Sequence, residues 1–373
     1  MNTVKIGVDA RPLAHPGTGI FRYTLELLSR MCRMGGQWYL YSPVSYDIDL
    51  VSLPNVHHRI GHLSARLRAG QLAHALIPIW ARRDSIGTFW GPRHQIPALI
   101  PHSVNAVVTI HDLVFLDCAE TMRFPGKQIE GFFTPRAMAR ADCIAVVSDF
   151  TYRRLVENYP QFADKVVIIP GASLLQSTVS PCESHLGGVP KSDYFLFVGT
   201  LEPRKNLPRI LRAFRRFATE TPSQLSLKIA GNTGWGGQDI AGMVDELGLA
   251  SRVQLLGRVA DEHLPELYQN AHTLLMPSLY EGFGLPVIEA LSCDVPVVTS
   301  RESAMAEVAG PAAHYVDPLS EEEIFQAMRM MVFDEDKYRK LKKEARDRVD
   351  IYDWNRSAEM LFSRLGSRTL SKR

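Results

Sequence analysis

The sequence predicts an α/β protein with two doubly wound parallel sheets, and two observations support this prediction. Short β-branched and aromatic runs alternate with amphipathic helical stretches, and the alternation occurs in both halves of the chain. The length of 373 residues suffices for two domains that each bury a core of their own. Because strands joined through helices form right-handed βαβ units, each half should contain a parallel sheet covered by helices.

Strands are predicted wherever a short, mostly apolar run is bounded by turn residues. In the first half these runs are residues 4–8, 38–41, 87–90, 106–110, 144–147 and 166–169. In the second half they are residues 194–198, 225–230, 253–256, 273–276 and 295–299. Helices are predicted between them, for example at residues 20–34, 150–159, 207–219, 239–247, 261–270 and 286–292.

The boundary between the two domains is predicted where glycine and proline concentrate among polar residues, at residues 170–192. We therefore predict a first domain over residues 1–172, a linker over 173–192 and a second domain over 193–350. Residues 351–373 are predicted to form a further helix. In parallel sheets of this kind ligands bind at the carboxyl ends of the strands, here in a central cleft that both domains face.

The overall composition argues against several classes of protein. Hydrophobic residues make up 46% of the chain and charged residues 22%, as in soluble globular proteins, and no apolar run reaches the roughly 18 residues of a membrane-spanning helix. A net charge of +2 argues against a dedicated nucleic-acid-binding protein. The amino terminus reads as a strand rather than a signal peptide, and the five scattered cysteines suit a reducing compartment. We therefore expect a cytoplasmic protein.

The most informative segment runs from Glu281 to Glu289 and reads as loop followed by helix. Gly282 and Gly284 let the backbone turn sharply, and Pro286 suits a first helical turn. A helix start with bare N–H groups attracts phosphate. At ~1.5 Å per residue the two carboxylates would lie about 10–12 Å apart, which is the reach of a nucleotide-sugar from hexose to ribose. The segment therefore predicts a sugar-nucleotide site.

A basic turn follows the predicted strand at residues 194–198. It begins at Gly199 and carries Arg204 and Lys205 before the next helix. Arginine offers phosphate a planar fork and lysine offers a mobile point charge, so the pair could neutralise a leaving diphosphate without a metal. A solvated basic turn is the alternative. The phosphate-friendly loop in the same half of the chain favours the functional interpretation.

The first half offers two further candidate segments. His111 follows the predicted strand 106–110, where it could hydrogen-bond a donor sugar or handle a proton, with a structural histidine as the alternative. Gly17 and Gly19 begin a Gly-x-Gly-x-x-Gly pattern in which Arg22 replaces the third glycine. This is weak as a dinucleotide fingerprint, but a loop of small residues still lets backbone approach a phosphate or an acceptor.

Two strand ends in the second half complete the candidates. Gly231 ends the predicted strand 225–230, and Val259 follows the strand 253–256, where a base could lie against it. Asp-x-Asp pairs occur at residues 47–49 and, with a glutamate between, at 334–336, and both are interpreted as surface charge. No metal site is predicted.

Together these segments resemble the retaining glycosyltransferases of family 4, which have the GT-B fold of two Rossmann-like domains. The resemblance rests on the two glutamates Glu281 and Glu289, on the turn at 199–206, and on the first-half segments 17–22, 109–113 and 147–151. It covers nearly the whole chain. It is strongest to bacterial enzymes that add mannose or related deoxy-sugars, such as rhamnose, to surface polysaccharide.

The resemblance implies a role for each candidate residue. Arg204 and Lys205 would hold the donor diphosphate and stabilise the leaving group, and Glu281 would contact hydroxyls of the donor sugar. His111 would lie beside that sugar, and Glu289 would bind the ribose. The remaining donor-binding or acceptor-bordering positions would be Gly17, Gly19, Gly199, Gly231, Val259, Phe283, Gly284 and Leu285. The first domain would take the acceptor, and the final helix would cross back onto it.

The family works without an obligatory metal, so no cofactor is expected, and it retains the configuration of the transferred sugar through front-face attack. On resemblance alone the expected donor is GDP-mannose or GDP-rhamnose. A UDP-sugar donor is one alternative. Another is a sugar-nucleotide epimerase of the same architecture, which would need an acid-base pair that the sequence does not supply beyond His111.

The implied acceptor is a lipid-linked glycan at the inner face of the cytoplasmic membrane. Residues 63–83 mix apolar positions with Arg66, Arg68, Arg82 and Arg83, so this segment could lie on anionic lipid as a peripheral contact. A core-packing helix with a charged outer face is the alternative.

Overall fold

The computed structural model describes residues 4–48, 53–61, 69–175, 194–236 and 239–366. The chain divides into two compact units. Unit 1 consists of Met1–Leu113, Gln128–Gly171 and Asp353–Arg373, and unit 2 consists of Val114–Lys127 and Ala172–Tyr352. The predicted first domain therefore differs from unit 1 at Val114–Lys127. Most of the predicted linker, from residue 176 onward, lies outside the described residues.

The sheet of unit 1 is parallel throughout. Its strands are β1 (Lys5–Asp9), β2 (Gln37–Ser42), β3 (Val56–Ile60), β4 (Thr88–Gly91), β5 (Asn105–Ile110), β6 (Cys143–Val146) and β7 (Val166–Ile168). They lie in the order β3-β2-β1-β4-β5-β6-β7. The chain builds one side of the sheet from β1 outward and then returns to β4 for the other side, which is doubly wound topology. The carboxyl ends of β1, β4 and β5 are therefore neighbours.

The sheet of unit 2 is also parallel and has the order β10-β9-β8-β11-β12-β13. Its strands are β8 (Tyr194–Val198), β9 (Ser226–Ala230), β10 (Val253–Gly257), β11 (Thr273–Met276), β12 (Val297–Ser300) and β13 (Ala313–Val316). Phe195, Phe214 and Phe217 pack edge to face and in stacks in its core, with the Phe195 and Phe217 centroids 5.2 Å apart. The chain passes outward from β8 to β9 and β10 and then returns to β11. The strand order therefore reverses between β8 and β11, which is where sheets of this kind bind ligands.

Helices connect the strands in both units. They are α1 (Gly19–Met31), α2 (Ala69–Asp84), α3 (Val114–Asp117), α4 (Gly126–Arg140), α5 (Asp149–Asn158), α6 (Leu207–Glu220), α7 (Ile240–Glu246), α8 (Leu264–Gln269), α9 (Leu285–Ser292), α10 (Ala304–Ala309), α11 (Glu321–Phe333), α12 (Glu335–Val349) and α13 (Trp354–Gly366). Among the described residues no helix is both long and apolar enough to cross a bilayer. Of the segment 63–83, residues 63–68 lie outside the described part and the rest belong to α2.

The final helix, α13, is part of unit 1. The hydroxyl of Ser357 donates to the carbonyl of Pro170 at 2.8 Å, and Thr88 in β4 donates to the carbonyl of Leu365 at 2.9 Å. Arg30 on α1 donates to the side-chain oxygen of Asn355 at 3.0 Å. These contacts tie the end of the chain to the first-half sheet and to α1.

The two-sheet prediction is confirmed, and two edge strands were missed. β3 has the sequence Val-His-His-Arg-Ile and is mostly half-buried, and β13 is half-buried at its two central residues. An edge strand covers less apolar surface than a central one, so neither shows the continuous apolar run that marked the central strands. The helix predicted at residues 261–270 is instead a 3₁₀ turn, Asp261–His263, followed by α8.

Candidate active site

The basic turn after β8 is fixed by hydrogen bonds to the segment that follows β11. Asn206 adopts a left-handed conformation (φ 65°) before α6, and its buried side-chain amide donates to the carbonyls of Pro277 (2.9 Å) and Pro318 (2.7 Å). The amide of Leu279 donates to the carbonyl of Arg204 at 2.7 Å. Because β8 and β11 are neighbours, these bonds bring the Arg204–Lys205 turn against the start of the Glu281 loop.

The two basic side chains of the turn converge on one carboxylate. Lys205 Nζ lies 2.5 Å from Oε1 of Glu281, and Arg204 Nη1 lies 2.6 Å from Oε2. Arg204 Nη1 also donates to the carbonyl of Tyr280 at 3.1 Å, and its Nε lies 2.6 Å from Oε1 of Glu202. Two cations and two anions thus form one cluster. The pattern in the sequence did not indicate that Arg204 and Lys205 are each bound to a carboxylate.

The charge state of this cluster follows from its burial and its pairing. Burial by itself would raise the pKa of Glu281, but Arg204 and Lys205 outweigh it and lower that pKa to about 2. Burial lowers the pKa of Lys205, against the opposing effect of Glu281. Glu281 is therefore ionised at neutral pH with both oxygens bound to cations. A carboxylate in this state is a poor nucleophile and a poor base, and it fixes the positions of the Arg204 and Lys205 side chains that it binds.

Gly199 and Gly231 let two loops meet beside the cluster. The amide of Gly199 donates to the carbonyl of Ala230 at 2.9 Å, and a Cβ on Gly231 would lie 1.9 Å from the carbonyl oxygen of Gly199. Gly231 has a φ of 157°, which side chains rarely adopt. A Cβ on Gly199 would lie 3.6 Å from Nζ of Lys205. The structure therefore brings Gly199, Gly231 and Lys205 together, as their positions at strand ends predicted.

Trp235 and Glu202 also belong to this cluster, and no local pattern in the sequence marks either residue. The indole N–H of Trp235 donates to Oε2 of Glu202 at 3.0 Å, while the other oxygen of Glu202 faces Arg204. Gly234 donates its amide to the carbonyl of Leu201 at 3.1 Å, so the Trp235 loop lies against the turn. Trp235 thus orients Glu202, which in turn orients the Arg204 guanidinium.

The predicted glycine-containing loop leads into α9. Gly284 has φ 98° and precedes the helix, with Leu285 and Pro286 in its first turn. A Cβ on Gly284 would lie 2.7 Å from Cγ of Met305. Phe283 is buried and packs edge to face on Tyr352, with centroids 5.4 Å apart. The loop therefore presents backbone, rather than side chain, at the helix start.

Glu289 and Val259 are not members of the ion cluster formed by Arg204, Lys205, Glu202 and Glu281. Glu289 lies in the second turn of α9 and is 1% exposed, and the hydroxyl of Tyr268 donates to its Oε2 at 2.8 Å. Val259 is half-buried and follows Gly257, which has φ 62° at the end of β10. Glu289 is thus a buried residue of α9, whereas Glu281 is buried in the loop that precedes this helix.

In unit 1, His111 lies at the carboxyl end of β5, as predicted. Its Nε2 is 2.7 Å from the carbonyl of Pro92, and its ring meets Tyr23 edge to face with centroids 4.9 Å apart. Burial, with a further effect of His94, lowers the pKa of His111 to about 3. A carbonyl only accepts, so Nε2 carries the proton and Nδ1 carries a lone pair. In this arrangement Nδ1 of His111 is the hydrogen-bond acceptor of the ring.

A chain of hydrogen bonds fixes the backbone of His111. Its amide donates to Nε2 of His94 at 2.9 Å, and Nδ1 of His94 lies 3.2 Å from Oε2 of Glu130. Thr134 donates to the same Glu130 oxygen at 2.9 Å. His94 itself has a positive φ of 45°. None of these partners was identified from the sequence, because Glu130 lies on α4 and reaches the strand end only through folding.

The glycine loop of unit 1 leads into α1. Gly17 has φ 86°, and Gly19 is the first residue of the helix, whose N-cap is Thr18. The Thr18 hydroxyl accepts from the amide of Phe21 at 3.2 Å. Both glycines are exposed. The loop is therefore a capped helix start at the carboxyl end of β1, open to a ligand.

Residues 186–348 match a family model described as glycosyl transferases group 1. An Escherichia coli protein named O-antigen chain mannosyltransferase B is 32% identical over 344 residues, which cover 84% of this chain and 87% of that relative. The chain belongs to the group 1 glycosyltransferases. A Salmonella typhimurium protein named O-antigen chain mannosyltransferase RfbU is 24% identical over 328 residues. The matched residues are 83% of this glycosyltransferase and 86% of that relative.

Solved structures agree with the fold of this glycosyltransferase. The crystal structure of WaaG, described as a glycosyltransferase involved in lipopolysaccharide biosynthesis, has a TM-score of 0.77 at 16% identity and covers 98% of this chain and 100% of its own. Anabaena HepE, solved in complex with UDP and glucose, has a TM-score of 0.74 at 18% identity and covers 100% of both chains. The predicted GT-B fold is confirmed.

The acidic pairs of this glycosyltransferase lie at residues 47–49 and 334–336. Asp334 caps α12, since its side chain accepts from the amide of Lys337 at 2.9 Å. Asp49 lies outside the described residues. Nowhere in the described ranges do three or more potential metal ligands come together.

Proposed function

We propose that this glycosyltransferase moves a mannose-type hexose, mannose or D-rhamnose, from a GDP-sugar to a lipid-linked glycan during O-antigen synthesis. The observation that carries the proposal is the convergence of Arg204 and Lys205 on Glu281 beside the glycine-lined loops of unit 2. The choice of sugar and pathway is supported by two relatives named O-antigen chain mannosyltransferase, which match most of the chain.

Arg204 and Lys205 are proposed to stabilise the leaving diphosphate. Because Glu281 and Glu202 already hold these cations, their N–H donors are oriented before the donor arrives, and little reorganisation is needed during transfer. Backbone N–H groups at Gly284 and Leu285 would supply further donors. This arrangement supplies cationic N–H donors without a metal, so we propose metal-independent transfer, testable by turnover in excess chelator.

Transfer is proposed to retain the anomeric configuration through front-face attack. The alternative, a covalent intermediate on Glu281, is disfavoured because both of its oxygens are bound to cations. The leaving phosphate would then take the proton of the acceptor hydroxyl. His111 would accept a hydrogen bond from a donor-sugar hydroxyl through Nδ1. An NMR determination of the product anomer tests retention directly.

The nucleoside is proposed to lie along the remaining donor positions of unit 2. The base would lie by Val259 and Gly231, the ribose by Glu289, and the phosphates and sugar by Phe283, Gly284 and Leu285. In unit 1, Gly17 and Gly19 would border the diphosphate or the acceptor. An epimerase of the same architecture would need a group that takes and returns a proton, and the low pKa of His111 argues against that role.

We propose that the enzyme works in the cytoplasm and touches the membrane peripherally through α2. Ile79 on α2 is 57% exposed and Leu99 is 59% exposed. Arg82 donates to the carbonyl of Leu99 at 3.3 Å, and Arg83 is exposed beside it. Apolar side chains and cations therefore share one surface, as in helices that lie on anionic lipid. Flotation with phosphatidylglycerol vesicles at low and high salt tests this, with phosphatidylcholine vesicles as control.

The proposed function is tested by offering a panel of donors to the purified protein. GDP-mannose, GDP-rhamnose, UDP-glucose and dTDP-rhamnose are each incubated with lipid-linked acceptor, and nucleotide release and product mass are measured. We expect release and transfer with the GDP-sugars. Transfer from the UDP-sugar would reassign the base, and a changed sugar on an intact nucleotide would indicate epimerisation. Absence of any turnover with all donors would contradict the proposal.

A further inference from the structure

Arg93 is a half-buried cation at the carboxyl edge of the unit 1 sheet. It lies two residues after β4, between the ends of β1 and β5. Among the described residues its guanidinium makes neither a hydrogen bond nor an ion pair. Burial, with a further effect of the nearby Arg11, lowers the pKa of Arg93. A guanidinium withdrawn from water is costly unless something binds its five donors.

The carboxylates near Arg93 are already bound to other groups. Asp9 forms a two-pronged ion pair with Arg11, with Nε 2.8 Å from Oδ1 and Nη2 2.5 Å from Oδ2. Both side chains of this pair are buried. The other nearby carboxylate, Glu130, is bound by His94 and Thr134. Asp9 and Glu130 therefore act on Arg93 at a distance, and neither carboxylate forms an ion pair with it.

The surroundings of Arg93 reach the glycine loop after β1. His15 stands two residues before Gly17, and burial together with the charge of Arg93 lowers its pKa. The charge of Arg93 therefore interacts with the ring of His15. A neutral histidine offers one N–H, and arginine offers a planar fork that fits phosphate or carboxylate oxygens. Together they form a donor set for an oxyanion beside the open loop of Gly17 and Gly19.

We propose that Arg93, with His15 beside it, binds an oxyanion carried by the acceptor, either a phosphate of its lipid carrier or a carboxylate of its glycan. The proposal rests on the proposed function, in which unit 1 takes the acceptor. Arg93 is then a specificity determinant for acidic acceptors. It explains why a cation is kept half-buried and unpaired at this position, which costs stability in the absence of ligand.

Titration calorimetry with simple probes tests the site. With the donor site saturated by GDP, the protein is titrated with inorganic pyrophosphate, farnesyl diphosphate and glucuronate. We expect Arg93→Gln to weaken binding of the preferred probe at least tenfold and Arg93→Lys to weaken it less. Arg33→Gln, an exposed arginine on the same unit, should bind as the native protein does. Preference for the diphosphates assigns the lipid carrier, and preference for glucuronate assigns an acidic glycan.

Thermal unfolding provides a second readout that needs no turnover. Arg93→Gln should unfold at the same temperature as the native protein or higher, and pyrophosphate should raise the midpoint of the native protein but not of the variant. Equal affinity of native and Arg93→Gln proteins for every probe, or no binding by either, would overturn the site. If Arg93-dependent binding is found while no donor is turned over, the proposed function fails and the oxyanion site stands.

Discussion

Lys205 and Glu281 form a buried ion pair, with Nζ 2.5 Å from Oε1, although they lie 76 residues apart in the sequence. Each is 6% exposed. Arg204 binds the other oxygen of the same carboxylate. A single anion therefore sets the position of both cations that would meet the leaving group, which is the preorganisation that electrostatic catalysis requires.

Replacing Lys205 or Arg204 by alanine should weaken stabilisation of the leaving group by about 2–4 kcal/mol, as for loss of comparable charge-stabilising donors. That energy corresponds to a fall in kcat/KM of roughly 30- to 900-fold. Steady-state kinetics with the best donor measure it. The control is Arg215→Ala, an exposed arginine on α6. Unchanged turnover in either active-site variant would contradict the assignment.

Trp235→Phe should reduce activity much less than Arg204→Ala does, because it removes one hydrogen bond and keeps an aromatic ring at this position. Without the indole N–H, Glu202 loses a 3.0 Å bond and orients Arg204 less firmly. A net loss of about 1 kcal/mol would lower kcat/KM roughly fivefold. Glu202→Gln should have the larger effect, since it also removes the ion pair. If Trp235→Phe were as damaging as Arg204→Ala, the indole would have a direct role that this arrangement does not assign to it.

The stability of unit 2 should fall in acid through Glu281. Its folded-state pKa of about 2 lies below the ~4.3 of an unfolded glutamate, so the unfolded chain binds the proton first. The stabilisation is complete above about pH 5 and is lost as pH falls towards 2, with a size of roughly 2–3 kcal/mol. Urea unfolding between pH 5 and 2.5 measures the slope.

Glu281→Gln should show a shallower dependence of unfolding free energy on pH than the native protein, although it is less stable at pH 7. Glu246→Gln, at an exposed position on α7, is the matched control and should keep the native slope. Parallel slopes for native protein and Glu281→Gln would show that the carboxylate is not held by the two cations in solution.

His111 should stay neutral, with its proton on Nε2, across the working pH range. Its pKa of about 3 predicts no titration of its ring signals between pH 5 and 8. Proton–nitrogen correlation spectra report both the tautomer and the titration. Titration of His111 near ~6.5, the value of an unperturbed histidine, would restore a proton-transfer role.

Gly231→Ala should destabilise unit 2 and impair donor binding. The added Cβ would lie 1.9 Å from the carbonyl oxygen of Gly199, so the two loops beside Lys205 must separate. We expect a loss of about 1–3 kcal/mol from the strained backbone alone. Gly248→Ala is the control, because Gly248 also has a positive φ but has open space around its Cα. Equal effects of the two changes would show that close approach of the loops is unimportant.

The placement of site residues at strand ends could be predicted because it depends on chain order. In a parallel sheet every carboxyl end lies at one edge, so His111 after β5 and Gly199 after β8 could be assigned from alternation alone. The edge strands β3 and β13 could not, because half-buried strands carry polar residues that break the apolar pattern. The low pKa of His111 could not be predicted either, because it depends on burial that no local pattern reveals.

The sequence by itself determined the two doubly wound sheets, the family and the position of the candidate loops at strand ends, since apolar periodicity and loop chemistry are local properties of the chain. The tertiary structure alone decided that Glu281 holds both Arg204 and Lys205, that Trp235 orients Glu202, and that Arg93 has no partner among the described residues. Pairing between charges depends on distances between residues far apart in the chain, and those distances exist only after folding.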